Sequence, residues 1–289
     1  MGHDDDLKPG AGETSAPPLL VLTRQRTGAG EIFKMLVSHV ARPSAGSDPL
    51  LPGQPFHVVA QAFQEGRLWE LRRLVRQVLQ PRPFFKYQYD VEPVDLSQQV
   101  FETLAECGYR ALILDREDEA ERIFSLAVCS HFGAWDMAAI DQLRRRARDG
   151  ETLSAPSVRT VRALVRAELA RRAWFDRVFP GFGIPSQTFT YEAIYRRGLG
   201  VLREMDRLFG FAGLPNREAL VGDESLLRFT FLRGHYTLGV VQYSRALMEV
   251  YDVIREELRE RTGAAGAAAP DGSALSRGAM RAPAGSSPE

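Results

Sequence analysis

The chain has 289 residues, 44% of them hydrophobic, and its 37 Lys and Arg balance 37 Asp and Glu to a formal net charge of zero. That length suits one large domain or two small ones with a real core. Zero net charge argues against a dedicated nucleic-acid binder, which carries a basic footprint. Lys occurs only at Lys8, Lys34 and Lys86, and every other basic residue is Arg. Arg suits bidentate phosphate or sulfate recognition, although GC-rich coding also yields an Ala-, Arg- and Gly-rich chain. Two cysteines, Cys107 and Cys129, exclude a disulfide-rich scaffold and a cysteine zinc site. The N-terminal MGHDDDLKPG carries acid where a signal peptide needs base. No run reaches the roughly 18 apolar residues of a membrane span. The expectation is a soluble, cytoplasmic protein without a transmembrane segment, of undefined oligomeric state.

Residues 1–17 are polar and aperiodic and read as a disordered leader. Residues 263–289 are almost all Ala, Gly, Ser and Pro, too poor in large apolar groups to offset the entropy of ordering. The folded body is therefore expected over residues 18–262. Residues 19–23, Leu-Leu-Val-Leu-Thr, suit a buried parallel strand. Ile32, Phe33, Leu36, Val37 and Val40 then recur at helical spacing, and the four prolines between Arg42 and Phe56 make a long loop. A helix is expected over 58–79, a strand over 84–89, a helix over 95–107, a buried strand over 111–114 and a helix over 117–130. Helices at 158–179 and 192–209 flank a short strand at 187–190, and a last helical segment runs from about 218 to 261. Strands alternating with helices predict an α/β fold with a parallel sheet in which helix dominates.

The first strand ends in Thr23-Arg24-Gln25-Arg26-Thr27-Gly28-Ala29-Gly30 and runs straight into a helix. A Gly-containing turn between strand and helix aims backbone N–H groups and the positive helix end at one point, which suits a nucleotide phosphate. Neither G-x-x-x-x-G-K-[ST] nor G-x-G-x-x-G is present, and an ordinary tight turn would also use Gly. A second strand–loop–helix unit puts Arg116 at the carboxyl end of a strand, where ligands of open α/β sheets collect, with Ser125 on the helix behind it. Taken alone, Arg116 among acids also fits a surface ion-pair network.

Together these blocks resemble the sulfotransferases that use 3′-phosphoadenosine-5′-phosphosulfate, in particular the bacterial carbohydrate (nodulation-factor-like) type. Residues 19–40, with Arg26-Thr27-Gly28, look like the 5′-phosphosulfate loop, and residues 112–125 look like the 3′-phosphate element. Lys86 is similar to the basic residue on the intervening strand. Thr188-Phe189-Thr190-Tyr191-Glu192-Ala193-Ile194 and Met205 to Phe211 are similar to the family's late pattern. The four blocks keep the family's order across residues 19–211.

The resemblance implies a P-loop-like three-layer α/β fold, a short parallel sheet flanked by many helices, that moves a sulfuryl group from the nucleotide to a hydroxyl. It implies Arg26 and Lys86 as catalytic cations. The nucleotide would be held by Arg24, Thr27, Gly28, Ala29, Gly30, Glu31, Arg116 and Ser125. Ala29 and Gly30 stand where the family places Thr or Ser, so backbone N–H groups would serve there, and Glu117 falls where an Arg is common. No metal is implied. The partner is a small-molecule or carbohydrate acceptor, not nucleic acid.

The family often carries its catalytic base in the loop after the first helix, which here offers Asp48 and His57. His57 is favoured for its acidity, against a structural histidine at a helix start. His39 reads as a capping or packing group. Arg144, Arg145, Arg146 and Arg148 read as a solvated helix face, Arg228, Arg233 and His235 fall in the last helical segment, and Trp69, Trp135 and Trp174 read as core before sugar platforms. Two other readings stay open: a sulfotransferase-like protein that has lost catalysis, and a phosphotransferase, against which the missing Walker Lys counts.

Overall fold

The computed structural model describes residues 17–39, 44–46, 50, 52–195, 199–214 and 244–264. Asp48, Arg228, Arg233, His235, the leader to residue 16 and the tail from residue 265 lie outside them. Four strands form one parallel sheet in the order β2-β1-β3-β4: β1 Leu19–Thr23, β2 Phe85–Gln88, β3 Arg110–Asp115 and β4 Ser186–Thr190. β1 is buried along its whole length, as an apolar run covered on both faces must be. Thr23 pairs with both Gln88 and Leu114, and Asp115 pairs with Thr190, so the four carboxyl ends finish level. Beyond β2, Ser44 bridges Phe84, and the Ala45 amide donates to the Phe84 carbonyl at 2.9 Å, closing that edge.

The pleat divides the core. Leu20, Leu22, Phe85 and Tyr87 face one layer, made by α2 (His57–Gln64), α3 (Leu68–Leu79), α4 (Val94–Glu106) and the end of α7 (Val158–Val178). Phe101 of α4 is the hub of this layer, with rings of Tyr87, Trp174, Phe175 and Phe179 within 6.3 Å of its own. Leu19, Val21, Leu112 and Leu114 face the other layer, α1 (Ala29–Val37) and α9 (Leu199–Ala212). A third cluster joins α5 (Glu119–Phe132), α6 (Met137–Arg148), the start of α7 and α10 (Arg245–Ala264). α8 (Tyr191–Tyr195) follows β4 directly. The architecture is the three-layer α/β fold expected, with its short parallel sheet among many helices.

Two boundaries differ from the sequence reading. The helix expected over 58–79 breaks at Glu65–Arg67, where Gly66 takes φ +73° and lets the chain turn. The helix expected over 192–209 is two elements, α8 and α9. Among the described residues no helix is long and apolar enough to cross a membrane.

Candidate anion site at the β1 and β3 strand ends

From β1 the chain moves to one neighbour, β2, and then crosses to the other, β3, with α1 and α4 on opposite faces. Connections that leave neighbouring strands in opposite directions open a crevice at their carboxyl ends. The residues in that crevice are the two loops picked out from sequence, 24–28 and 116–118.

The first loop is held by its own hydroxyls. Thr27 Oγ1 lies against Thr23 Oγ1 and 3.0 Å from the Arg24 carbonyl, and the Thr23 hydroxyl is 3.1 Å from the Leu114 carbonyl, tying β1 to β3. The Thr27 hydroxyl is thus turned inward and buried. Gly28 takes φ +76° at the start of α1, and no side chain caps the helix. Its first-turn amides, over Ala29, Gly30 and Glu31, have no acceptor within the helix, an arrangement that can receive an anion. Ala29 is buried, open space surrounds the Gly30 α-carbon, and Glu31 accepts from Lys34 at 2.9 Å. Tyr191 and Tyr195 cover Gly28 from α8, and the Tyr195 hydroxyl donates to its carbonyl at 3.0 Å.

The two loop arginines part ways. Arg24 is buried, with Nη1 and Nη2 donating to Glu119 at 2.8 and 2.9 Å and Nη2 also meeting Asp115. Burial alone would favour a neutral guanidinium, but Glu119 and Asp115 raise its pKa further still. Arg24, expected as a phosphate contact, is thus engaged by two carboxylates as an internal strut. Arg26 is half-buried, with a left-handed φ of 65°, which is uncommon for a residue with a Cβ. Its Nε donates to Ser125 Oγ at 2.9 Å and its Nη1 to the Trp135 carbonyl at 3.3 Å. Arg26 and Ser125, 99 residues apart in sequence, meet directly.

Arg116 is buried beneath the ring of Tyr191, whose centroid is 4.5 Å away, and it pairs with Glu121. Its Nε is buried with no hydrogen-bond partner among the described residues, and Glu192 Oε1 is 3.7 Å away. The Glu192 carboxylate accepts the amides of Glu117 and Asp118 at 2.9 and 3.2 Å. Glu117 itself accepts from Thr190 Oγ1 at 3.0 Å, towards β4. Lys86 is buried on β2 opposite Val21, on the α1 face and two register positions short of the strand ends. His57 opens α2 on the other face, with Nδ1 3.3 Å from the Leu50 carbonyl. Among the described residues no hydrogen bond or ion pair joins His57 to Arg26, Arg116 or Ser125.

Four charged residues not singled out from sequence hold the crevice together. Glu119 receives Arg24 and Arg122, and Arg122 also donates to Glu168 at 2.6 Å and to the Gln25 carbonyl at 3.2 Å. Although burial pushes the Glu119 carboxyl up, Arg122 and Arg24 outweigh it and hold the pKa at about 2. The Asp90 carboxylate accepts the Gln25 amide at 2.7 Å. Burial, reinforced by Glu168, raises Asp90 to about 6. The signal for Asp90 is its place just past the end of β2, level with the crevice; Glu119, Arg122 and Glu168 sit on helices with nothing local to distinguish them.

Of the tryptophans, Trp174 is core, while Trp69 and Trp135 are exposed, and Trp135 adjoins Arg26. Arg144 and Arg146 pair with Asp141 and Glu151 on the surface of α6. Among the described residues no three His, Cys, Asp or Glu side chains form a group fit for a metal ion. Comparison with family models, curated proteins and solved structures finds nothing that matches this chain.

Proposed function

We propose that the chain is a sulfotransferase that moves a sulfuryl group from 3′-phosphoadenosine-5′-phosphosulfate to a hydroxyl of a carbohydrate, glycolipid or natural product. The observation that carries this reading is the convergence of the two sequence blocks, with Arg26 Nε 2.9 Å from Ser125 Oγ at the level ends of β1 and β3. In the reaction the acceptor oxygen bonds to sulfur, the bond from sulfur to the bridging phosphate oxygen breaks, and the acceptor proton passes to a base or solvent. Negative charge grows on the phosphate oxygen, and a preorganised cation stabilises it more in the transition state than in the ground state. Arg26 is the half-exposed guanidinium at that point, with Lys86 as a second cation on the strand below. The α1 amides over Gly28–Glu31 would cradle the 5′-phosphate, and Arg116 and Ser125 the 3′-phosphate.

Calorimetry with 3′-phosphoadenosine 5′-phosphate tests the reading, and absence of binding would end it. Arg26→Ala should lower transfer of labelled sulfate by about 10²-fold or more while the far-ultraviolet circular dichroism stays unchanged. A normal rate would remove Arg26 from the reaction.

One observation favours a second reading, a sulfotransferase-like protein that binds without catalysis. Arg116 already faces Glu121 and Glu192, so a 3′-phosphate there must compete with two carboxylates. Transfer of sulfate to any acceptor would dispose of that reading.

A further inference from the structure

Both polar groups of the Gln25 backbone are held by charged side chains from elsewhere in the fold. Its N–H donates to Asp90 Oδ2 at 2.7 Å, from the end of β2, and its C=O accepts from Arg122 Nη1 at 3.2 Å, from α5. The next residue, Arg26, is the one described non-glycine position besides Arg82 with positive φ. A left-handed residue with a Cβ is strained and persists only when its surroundings over-determine it. Arg122 is fully buried and is itself fixed by Glu119 and Glu168, so the clamp is rigid on the α5 side. On the β2 side, Asp90 Oδ1 is buried with no partner among the described residues, so the carboxyl spends its hydrogen bonding on the loop.

We infer that Asp90 and Arg122 are positioning residues that grip the Gln25 peptide from two sides and thereby set the left-handed turn presenting Arg26 to the anion crevice. Neither touches the anion; both act through the Gln25 peptide. The functional half of this inference rests on Arg26 being an anion contact, as in the proposed function. The conformational half does not.

Asp90 also makes the clamp sensitive to protons. Its carboxyl is surrounded by Glu168 of α7 and Arg122 of α5, with the Gln25 amide in front and Tyr89 and Glu92 on its own segment. Protonation turns a charge-assisted hydrogen bond into a weaker neutral one.

The test uses the full chain labelled with ¹⁵N and ¹³C. In the wild type, the Gln25 amide proton should shift with pH with a midpoint of about 6, while the Arg26 Cα and Cβ shifts stay left-handed, because the neutral carboxyl still accepts the bond. A Gln25 amide proton that does not respond to pH would overturn the clamp, and this measurement needs no variant to fold. Asp90→Asn keeps an acceptor and should hold the Arg26 shifts near wild type while abolishing the titration. Asp90→Ala should release Arg26 from its left-handed shifts. An Asp90→Ala protein that is folded with Arg26 shifts unchanged would also overturn the clamp.

Calorimetry with 3′-phosphoadenosine 5′-phosphate then reads the functional half. Asp90→Ala should bind about tenfold or more weakly and Asp90→Asn within about threefold of wild type. Equal weakening by both would overturn the positioning role. If the wild type does not bind this probe, the proposed function fails, and the pH-dependent shifts still decide the clamp.

Discussion

Gly28 is closely covered in the loop between β1 and α1. Its φ is +76°, and a Cβ there would stand 2.8 Å from both Tyr191 Cδ2 and Tyr195 Cε2. Gly28→Ala must therefore strain the backbone and push two rings off the loop. It should lower stability by about 1–3 kcal/mol, read by urea unfolding, and weaken binding of 3′-phosphoadenosine 5′-phosphate more than its stability loss predicts. An unchanged urea midpoint would contradict both the backbone strain and the ring contact. The neighbouring arginines mark where single residues were legible from sequence. That the loop from Arg24 to Gly28 would stand at the carboxyl end of a buried strand could be read from the strand–turn–helix pattern. That Arg24, expected as a nucleotide contact beside Arg26, turns inward could not, because its partners Asp115 and Glu119 lie 91 and 95 positions further on. The inward turn of the Thr27 hydroxyl was hidden for a different reason: its partner, Thr23, is only four positions away, but the bend of the loop and not the spacing brings the two together.

At the scale of elements, the strands were the easiest to read. β1, β2 and β3 are short apolar or alternating runs ending at polar residues, while β4 carries a single apolar residue and passes straight into α8. Helix ends were harder, because hydrophobic periodicity continues through a break. Phe63, Leu71, Leu74 and Val75 all contribute to one core across the turn at Gly66, so the burial pattern looks like one helix while the backbone makes two. α7 shows what long helices do in this fold. Val161 and Val165 near its start belong to the cluster with α5 and α10, and Trp174 and Phe175 near its end belong to the sheet layer. Its start is capped by Ser157 Oγ, which accepts the Thr160 amide at 3.2 Å. Ser157→Ala should cost about 1 kcal/mol, visible as a lower urea midpoint at unchanged slope. A larger loss with a reduced slope would mean that the two clusters come apart separately.

For the molecule as a whole, the buried carboxyls predict a stability profile with two limbs. Burial raises Asp90 from 3.8 to about 6 and Glu92 from 4.5 to about 7. The folded chain therefore holds these protons more tightly than the unfolded chain. Their contribution is complete below about pH 4 and is lost as pH rises through 6 to 7. Glu119 works in the opposite sense: held at about 2 against an ordinary 4.5, its contribution is present above pH 4.5 and is lost as pH falls towards 2. Thermal unfolding followed from pH 2 to 8 should show its highest midpoint at about pH 4–5, and Asp90→Asn should flatten the upper limb. A midpoint still rising between pH 5 and 7 would contradict the upper limb. The contact between Arg26 and the Trp135 carbonyl carries a practical consequence of another kind. Trp174 is sealed in the core and Trp69 stands out in solvent on α3, so of the three tryptophans in the chain it is Trp135, 47% exposed, whose backbone meets Arg26 at the strand ends. Intrinsic fluorescence should thus report an arriving anion without any added dye, and Trp135→Phe should silence that signal while the emission of the other two indoles persists.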